Sequence, residues 1–295
     1  MAASRYQTLS FLSDYGTADE FVGVVKSVVR TIAPDTLVID ISHEIAPHDV
    51  RAGGLALARS AQYLAPGVVL AVVDPGVGTE RRAVAIEVGD GASVLVGPDN
   101  GLLAPAVAMV GGATRAVALT DDSYHLPSPG PTFAGRDVFA PAAAHLCAGV
   151  PFDALGPAVD TGGLRPGVLP VSRIEGDAVV AEVFWVDRFG NAQLNIGPEE
   201  LEAMGGERVR LRTSLKGADG LDRTAVVAPT YGALGAGDIG LVVDSYGLVS
   251  ISLDRRDAAT ELGISAGDQV TLEPLGDDDR PAAGPATPVE LGRRR

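Results

Sequence analysis

The run Val68-Val-Leu-Ala-Val-Val73 is apolar without interruption and stops at Asp74-Pro75-Gly76. Continuous apolar character belongs to a strand covered on both faces, and the proline and glycine mark its end. Such a strand needs helices above and below it, and the surrounding sequence supplies them. Residues 8–12 read as a strand ending in Ser13-Asp14-Tyr15-Gly16, followed by a helix with Phe21, Val24, Val25, Val28 and Val29 on one face. Residues 36–41 repeat the strand and 51–61 the helix; 83–88 and 93–96 form two strands around the hairpin turn Gly89-Asp90-Gly91. Residues 139–148 read as one more helix ending at Gly149.

Past residue 165 the texture becomes short β-rich runs between glycine turns, at 178–186, 208–212, 239–243, 248–253 and 269–273. A chain of 295 residues has room for two domains. The expected organisation is an α/β domain over 1–165 with a central, largely parallel sheet, then a small antiparallel β-barrel or sandwich over 166–275, with Asp160 to Gly167 as the linker. The polar, proline-rich stretch 276–295 reads as a disordered tail.

Acidic residues number 38 against 23 basic, a net charge of −15, which argues against a nucleic-acid partner. Aromatic residues are scarce and Trp185 is the single tryptophan, so a nucleic-acid-binding face of stacked aromatics has little to build with. No apolar run approaches the ~18–20 residues of a membrane span, and residues 1–7 lack the apolar core of a secretory signal, so the expected location is the cytoplasm, away from the membrane. A lone cysteine, Cys147, in an apolar helix reads as a buried inert thiol.

Ligands of α/β sheets gather beyond the carboxyl ends of strands, which singles out Asp14 and Asp74. Either could hold a ribose diol, ligate a metal, act as a base, or merely cap a turn. Arg81 and Arg82 follow Asp74 closely; one of them beside it would keep the carboxylate ionised, the alternative being a solvated surface pair. Gly76-Val-Gly78 lacks the lysine and spacing of a phosphate loop, and no Gly-x-Ser-x-Gly elbow is present. His43 and His48 are separated by a helix-breaking Pro47, which argues against a zinc site, and His145 reads as a hydrogen-bonded core histidine.

Seven loops taken in order are more specific than any one: Phe11-Leu-Ser-Asp14-Tyr-Gly, Asp40-Ile-Ser-His43, Asp74-Pro-Gly-Val-Gly-Thr79-Glu-Arg81, Val96-Gly-Pro-Asp-Asn-Gly-Leu102, Thr132-Phe-Ala-Gly-Arg-Asp-Val-Phe139, Asp187-Arg-Phe-Gly-Asn191 and Asp244-Ser-Tyr-Gly. Together they resemble the S-adenosylmethionine (SAM) hydroxide adenosyltransferases, or SAM hydrolases, relatives of the SAM-dependent fluorinase and chlorinase. The resemblance implies water attack on C5′ of SAM, giving adenosine and L-methionine with no cofactor and no metal, in a homotrimer whose sites lie at subunit interfaces.

It also implies roles. Asp14 would take the ribose hydroxyls, Asp187 the methionine ammonium, Asn191 the adenine edge and Ser245 the methionine carboxylate. Thr132 and Gly135 fall in the substrate-binding loop. Tyr246 stands where the fluorinase has an arginine. Halogenases of the family carry tyrosine where this chain has Asp74; the hydrolases carry an aspartate, an arginine and a histidine. The first two map onto Asp74 and Arg81, which favours water over halide because a carboxylate accepts a proton from water and repels a halide ion. The third maps onto Ala134, which can neither orient water nor share its proton. Three readings of Ala134 stand open: an engineered change, a natural variant working with Asp74 and Arg81 alone, or a protein that only binds SAM or adenosine. Trp185 and Phe189 either line the nucleoside pocket or pack inside the barrel, and Arg136 with Asp137 reads as an ion pair shaping its loop.

Overall fold

The computed structural model describes residues 6–213 and 220–275; the expected tail at 276–295 lies outside the described residues. The chain divides into two compact units between Leu169 and Pro170.

In the first unit the strands are β1 (Thr8–Ser13), β2 (Leu37–Ser42), β3 (Val68–Val72), β4 (Ala83–Val88), β5 (Ser93–Pro98), β6 (Ala113–Ala118) and β7 (Ala158–Val159). Helices α1 (Phe21–Ile32), α2 (Val50–Ala61), α3 (Ala104–Met109) and α4 (Ala140–Cys147) connect them. The sheet runs β2-β1-β3-β5-β4-β6-β7. The first four strands are parallel to one another and β4, β6 and β7 add antiparallel pairings.

The unbroken apolar run has its reason in β3 and the residue after it. Val68, Leu70 and Val72 pack with α1 and α4, while Val69, Ala71 and Val73 pack with α2 and α3. Successive side chains point to opposite faces, and both faces are covered. Each fully buried valine or leucine adds about 1.5–3 kcal/mol of transfer free energy. The edge strand β2 differs: Leu37 is 63% exposed, so its apolar sequence is not covered on both sides.

On α1 the buried face is Val22, Val25 and Val29, rotated from the expected stripe. Phe21 leaves that stripe to meet other aromatic rings at the site described below. The helix expected at 139–148 is α4 preceded by a π turn over Gly135–Phe139. Pro141 lies in the first turn of α4, directly after the π turn.

The second unit contains β8 (Arg173–Glu175), β9 (Ala178–Val186), β10 (Ala192–Leu194), β11 (Arg208–Thr213), β12 (Asp222–Val227), β13 (Ile239–Val243), β14 (Val249–Leu253) and β15 (Gln269–Pro274), with α5 (Pro198–Met204) and α6 (Ala258–Leu262). The order β10-β14-β13-β12-β11-β15-β9 closes on itself because β9 also pairs with β10, and β8 is added alongside β9. Closure leaves no open edge among the seven barrel strands. The pairings are antiparallel except β12 with β13, which is parallel. Leu194, Val209, Leu211, Leu241, Ile251 and Leu272 are among the side chains that fill the core.

Candidate active site

Asp14 and Asp74 emerge side by side because β1 and β3 are paired in register up to Ser13 and Val72. The Asp14 N–H donates to the Val72 carbonyl at 3.3 Å, tying the two strand ends together. The Asp14 Oδ2 accepts the His48 backbone N–H at 2.9 Å, which fastens the following loop to the same spot. His48 has φ 69°, a left-handed conformation uncommon outside glycine.

The Asp74 carboxylate is 5% exposed and clamped by Arg81. Arg81 Nε lies 2.9 Å from both carboxylate oxygens, and Nη2 lies 2.5 Å from Oδ2. Seven residues reach from one partner to the other through turns at Asp74–Val77 and Gly76–Thr79. Gly78, at φ +78°, makes the last bend possible, and a Cβ there would lie 3.0 Å from the Pro131 carbonyl oxygen. The Arg81 guanidinium also lies over the Phe139 ring, 5.1 Å from its centroid. Arg82 pairs instead with buried Asp99, so the two consecutive arginines serve different carboxylates.

The segment from Thr132 to Gly135 faces these strand ends across a cleft of about 260 Å³. Asp14, Asp74, Thr132, Ala134 and Gly135 all line it, together with Tyr15. Rings of Tyr15, Phe21 and Phe133 pack with centroids 5.1–5.7 Å apart and form its apolar side. Gly135 lies directly beneath Tyr15: a Cβ on it would lie 2.1 Å from the phenol oxygen. Burial pushes the Tyr15 phenol well above its ordinary range, with the Asp14 and Asp74 carboxylates adding to the shift. Arg81 lines an adjoining cavity of about 600 Å³, and Ala134 forms part of both walls.

His43, His145 and the cysteine have structural surroundings. His43 is buried between Ser13 Oγ at 2.8 Å and Asp40 Oδ1 at 3.0 Å. His145 meets the Tyr124 ring edge-on, and burial lowers its pKa. Burial pushes the Cys147 thiol up to about 11, which removes its nucleophilic form near neutrality. Among the described residues no group of three or more His, Cys, Asp or Glu could hold a metal ion. Arg136 and Asp137 form an ion pair with contacts of 2.6 and 3.0 Å, and the guanidinium lies over Phe133.

In the second unit Asp187 organises its own loop. Its carboxylate accepts the Phe189 and Asn191 backbone N–H groups and the Asn191 side-chain amide, all at 2.8–2.9 Å. Asp187 and Asn191 line a cavity of about 500 Å³ with Phe189, Tyr231 and Asp257. Phe189 is 76% exposed, so it is not packed inside the barrel. Trp185 is half-buried and its ring meets Tyr246 edge-on at 6.5 Å. Ser245 and Tyr246 are exposed on the β13–β14 turn, which Asp244 holds by accepting Tyr246 N–H at 2.8 Å and Gln193 Nε2 at 2.6 Å. Burial, with Asp244 and Asp187 adding, raises the Tyr231 pKa. Sequence reasoning missed Tyr15, Phe21, Tyr231 and Asp257 as wall residues; only Tyr15 lay beside a motif aspartate that could have pointed to it.

Models of the SAM hydroxide adenosyltransferase N-terminal and C-terminal domains match residues 9–156 and 181–271. The chain belongs to the SAM hydroxide adenosyltransferase family. Among its relatives in this family, the (R)-S-adenosyl-L-methionine hydrolase of Salinispora tropica is 43% identical over 265 residues, covering 90% of this chain and 97% of that protein. The (R)-S-adenosyl-L-methionine hydrolase of Thermus thermophilus is 39% identical, covering 89% and 98%. A fluorinase of an Actinoplanes species is more distant at 27%, covering 92% and 99%. The crystal structure of an uncharacterized conserved protein from Thermotoga maritima superposes with a TM-score of 0.81 at 31% identity, covering 90% of this chain and 99% of that one. For a hydroxide adenosyltransferase the site has an uneven distribution of chemistry: Asp74 and Arg81 are paired, and position 134 offers only a methyl group.

Proposed function

We propose that the protein is a cytoplasmic, homotrimeric SAM hydrolase in which water attacks C5′ of SAM in line with the C5′–S bond. The water oxygen bonds to C5′, its proton passes to Asp74, and the C5′–S electron pair leaves on the sulfur of L-methionine. Adenosine remains. Sulfonium is already a good leaving group, so neither a cofactor nor an acid is needed to expel it. The enzyme's work is to hold water at near-attack distance and to accept its proton.

The observation that carries this reading is the shielded Asp74 carboxylate on the cleft wall, held by Arg81. A carboxylate so placed is a group to which water can pass a proton. The same negative charge opposes a chloride or fluoride nucleophile, which separates this chain from its fluorinase relatives. Asp14 suits a ribose diol, since a carboxylate accepts two O–H bonds and, among the described residues, only its Oδ2 is engaged. Thr132 and Gly135 close the cleft around the sugar. Asn191, whose amide nitrogen is held by Asp187, offers its carbonyl oxygen to the adenine amino group. Asp187 meets the methionine ammonium, with Ser245 and Tyr246 at the carboxylate. Each unit carries part of this ligand set in an open cavity, which suits a trimer that joins the first unit of one copy to the second unit of a neighbour.

Incubation with SAM should release adenosine and methionine in equal amounts, and chloride or fluoride should yield no 5′-halo-5′-deoxyadenosine. Lack of adenosine from both this chain and its Ala134→His variant would refute the reading. Ala134 favours one alternative, a protein that binds SAM or adenosine without turnover. Calorimetry showing tight binding, with SAM left intact by both proteins, would establish it.

A further inference from the structure

Ala134 offers the cleft only a methyl group, and the Tyr15 hydroxyl stands beside it. Tyr15 follows Asp14 at the end of β1 and walls the same cleft as Asp74, Ala134 and Gly135. Its oxygen overlies the Gly135 backbone so closely that a Cβ there would come within 2.1 Å. Any side chain at 135 would displace the hydroxyl, so this glycine is what admits it to the neighbourhood of position 134. The ring is held on one side by Phe133, edge-on at 5.6 Å, and on another by Phe21 at 5.7 Å.

Packing alone does not account for the oxygen. Phenylalanine would make the same ring contacts and present no polar atom to the cleft. Tyr15 lines the cleft, so its hydroxyl is available to a molecule bound there. The charges of Asp14, Asp74, Arg81 and Asp137 act on the phenol.

We propose that the Tyr15 hydroxyl takes the place of the absent histidine, accepting a hydrogen bond from one hydrogen of the attacking water while Asp74 receives the other as a proton. The proposal rests on the hydrolase reading and deepens it. Tyr15 fixes the direction of the water lone pair and gives up no proton of its own. Burial and the nearby carboxylates keep the phenol neutral, so the single proton lost by water goes to Asp74 and then to solvent.

The test is a double-mutant cycle on the full chain, measuring kcat and KM for adenosine formation. Tyr15→Phe removes one oxygen and keeps the ring. It should lower kcat by roughly 10–100-fold and change KM by less than about twofold. In an Ala134→His background, where an imidazole can orient the water, the same substitution should cost less than about threefold. An unchanged kcat, an equal loss in both backgrounds, or a raised KM with kcat preserved would overturn the role. Adenosine formed by Ala134→His and not by the parent chain would also overturn it while leaving the hydrolase reading intact. No adenosine from either would remove both.

Discussion

Asp74 stands where it does because β3 ends at Val72, and the chain must turn at Asp74-Pro75-Gly76 as it leaves the sheet. Its proposed chemistry needs a carboxylate, which makes substitution by the neutral isostere informative. Asp74→Asn should lower kcat by ~10²–10⁴-fold, as loss of a general base commonly does. A far smaller fall in steady-state adenosine release would mean that the proton leaves by another route. At this scale Asp14 and Asp74 stood out because polar residues directly after apolar strands do, and Arg81 because it follows Asp74 closely. Tyr15 was not, since its importance comes from Gly135, a residue 120 positions away whose lack of a side chain admits the hydroxyl. The divided duties of Arg81 and Arg82 were equally hidden, because each carboxylate partner is chosen by the fold.

At the scale of elements, strand β3 was readable because burial on both faces writes itself as an unbroken apolar run. Helix α3 was not, being a short helix cut off by Gly111-Gly112, and the two- and three-residue strands β7, β8 and β10 are too short to carry a period. The α1 stripe was misplaced because Phe21, apolar like its neighbours, serves the cleft instead of the core. Helix α4 carries His145 on a partly buried face, and burial holds its pKa below the usual 6.5. The unfolded chain therefore binds this proton first as pH falls, so the stability it contributes is complete above about pH 6.5 and is lost as pH drops toward the folded value. Urea midpoints at about pH 8 and about pH 5.5 should show a smaller acid loss in His145→Gln than in the parent chain. Identical losses would mean that the ring is as accessible to protons in the folded state as in the unfolded one.

On the scale of the whole molecule, two units with separate cores each carry part of the implied ligand set. The division into an α/β unit and a barrel was visible as a change of texture along the chain, whereas assembly leaves little trace in one sequence because the surfaces that meet need only complementary shape. If the trimer forms, sedimentation equilibrium should give a mass three times that of the 30.1 kDa chain. A monomer that still turned over SAM would show that one copy is sufficient. The account's central claim concerns the source of an oxygen atom: water attacks C5′, so the new 5′-hydroxyl of adenosine derives from solvent. The most direct measurement is mass spectrometry of adenosine formed from SAM in oxygen-18 water. The account predicts one heavy oxygen in the nucleoside and none in methionine, and unlabelled adenosine, or SAM recovered intact, would contradict it.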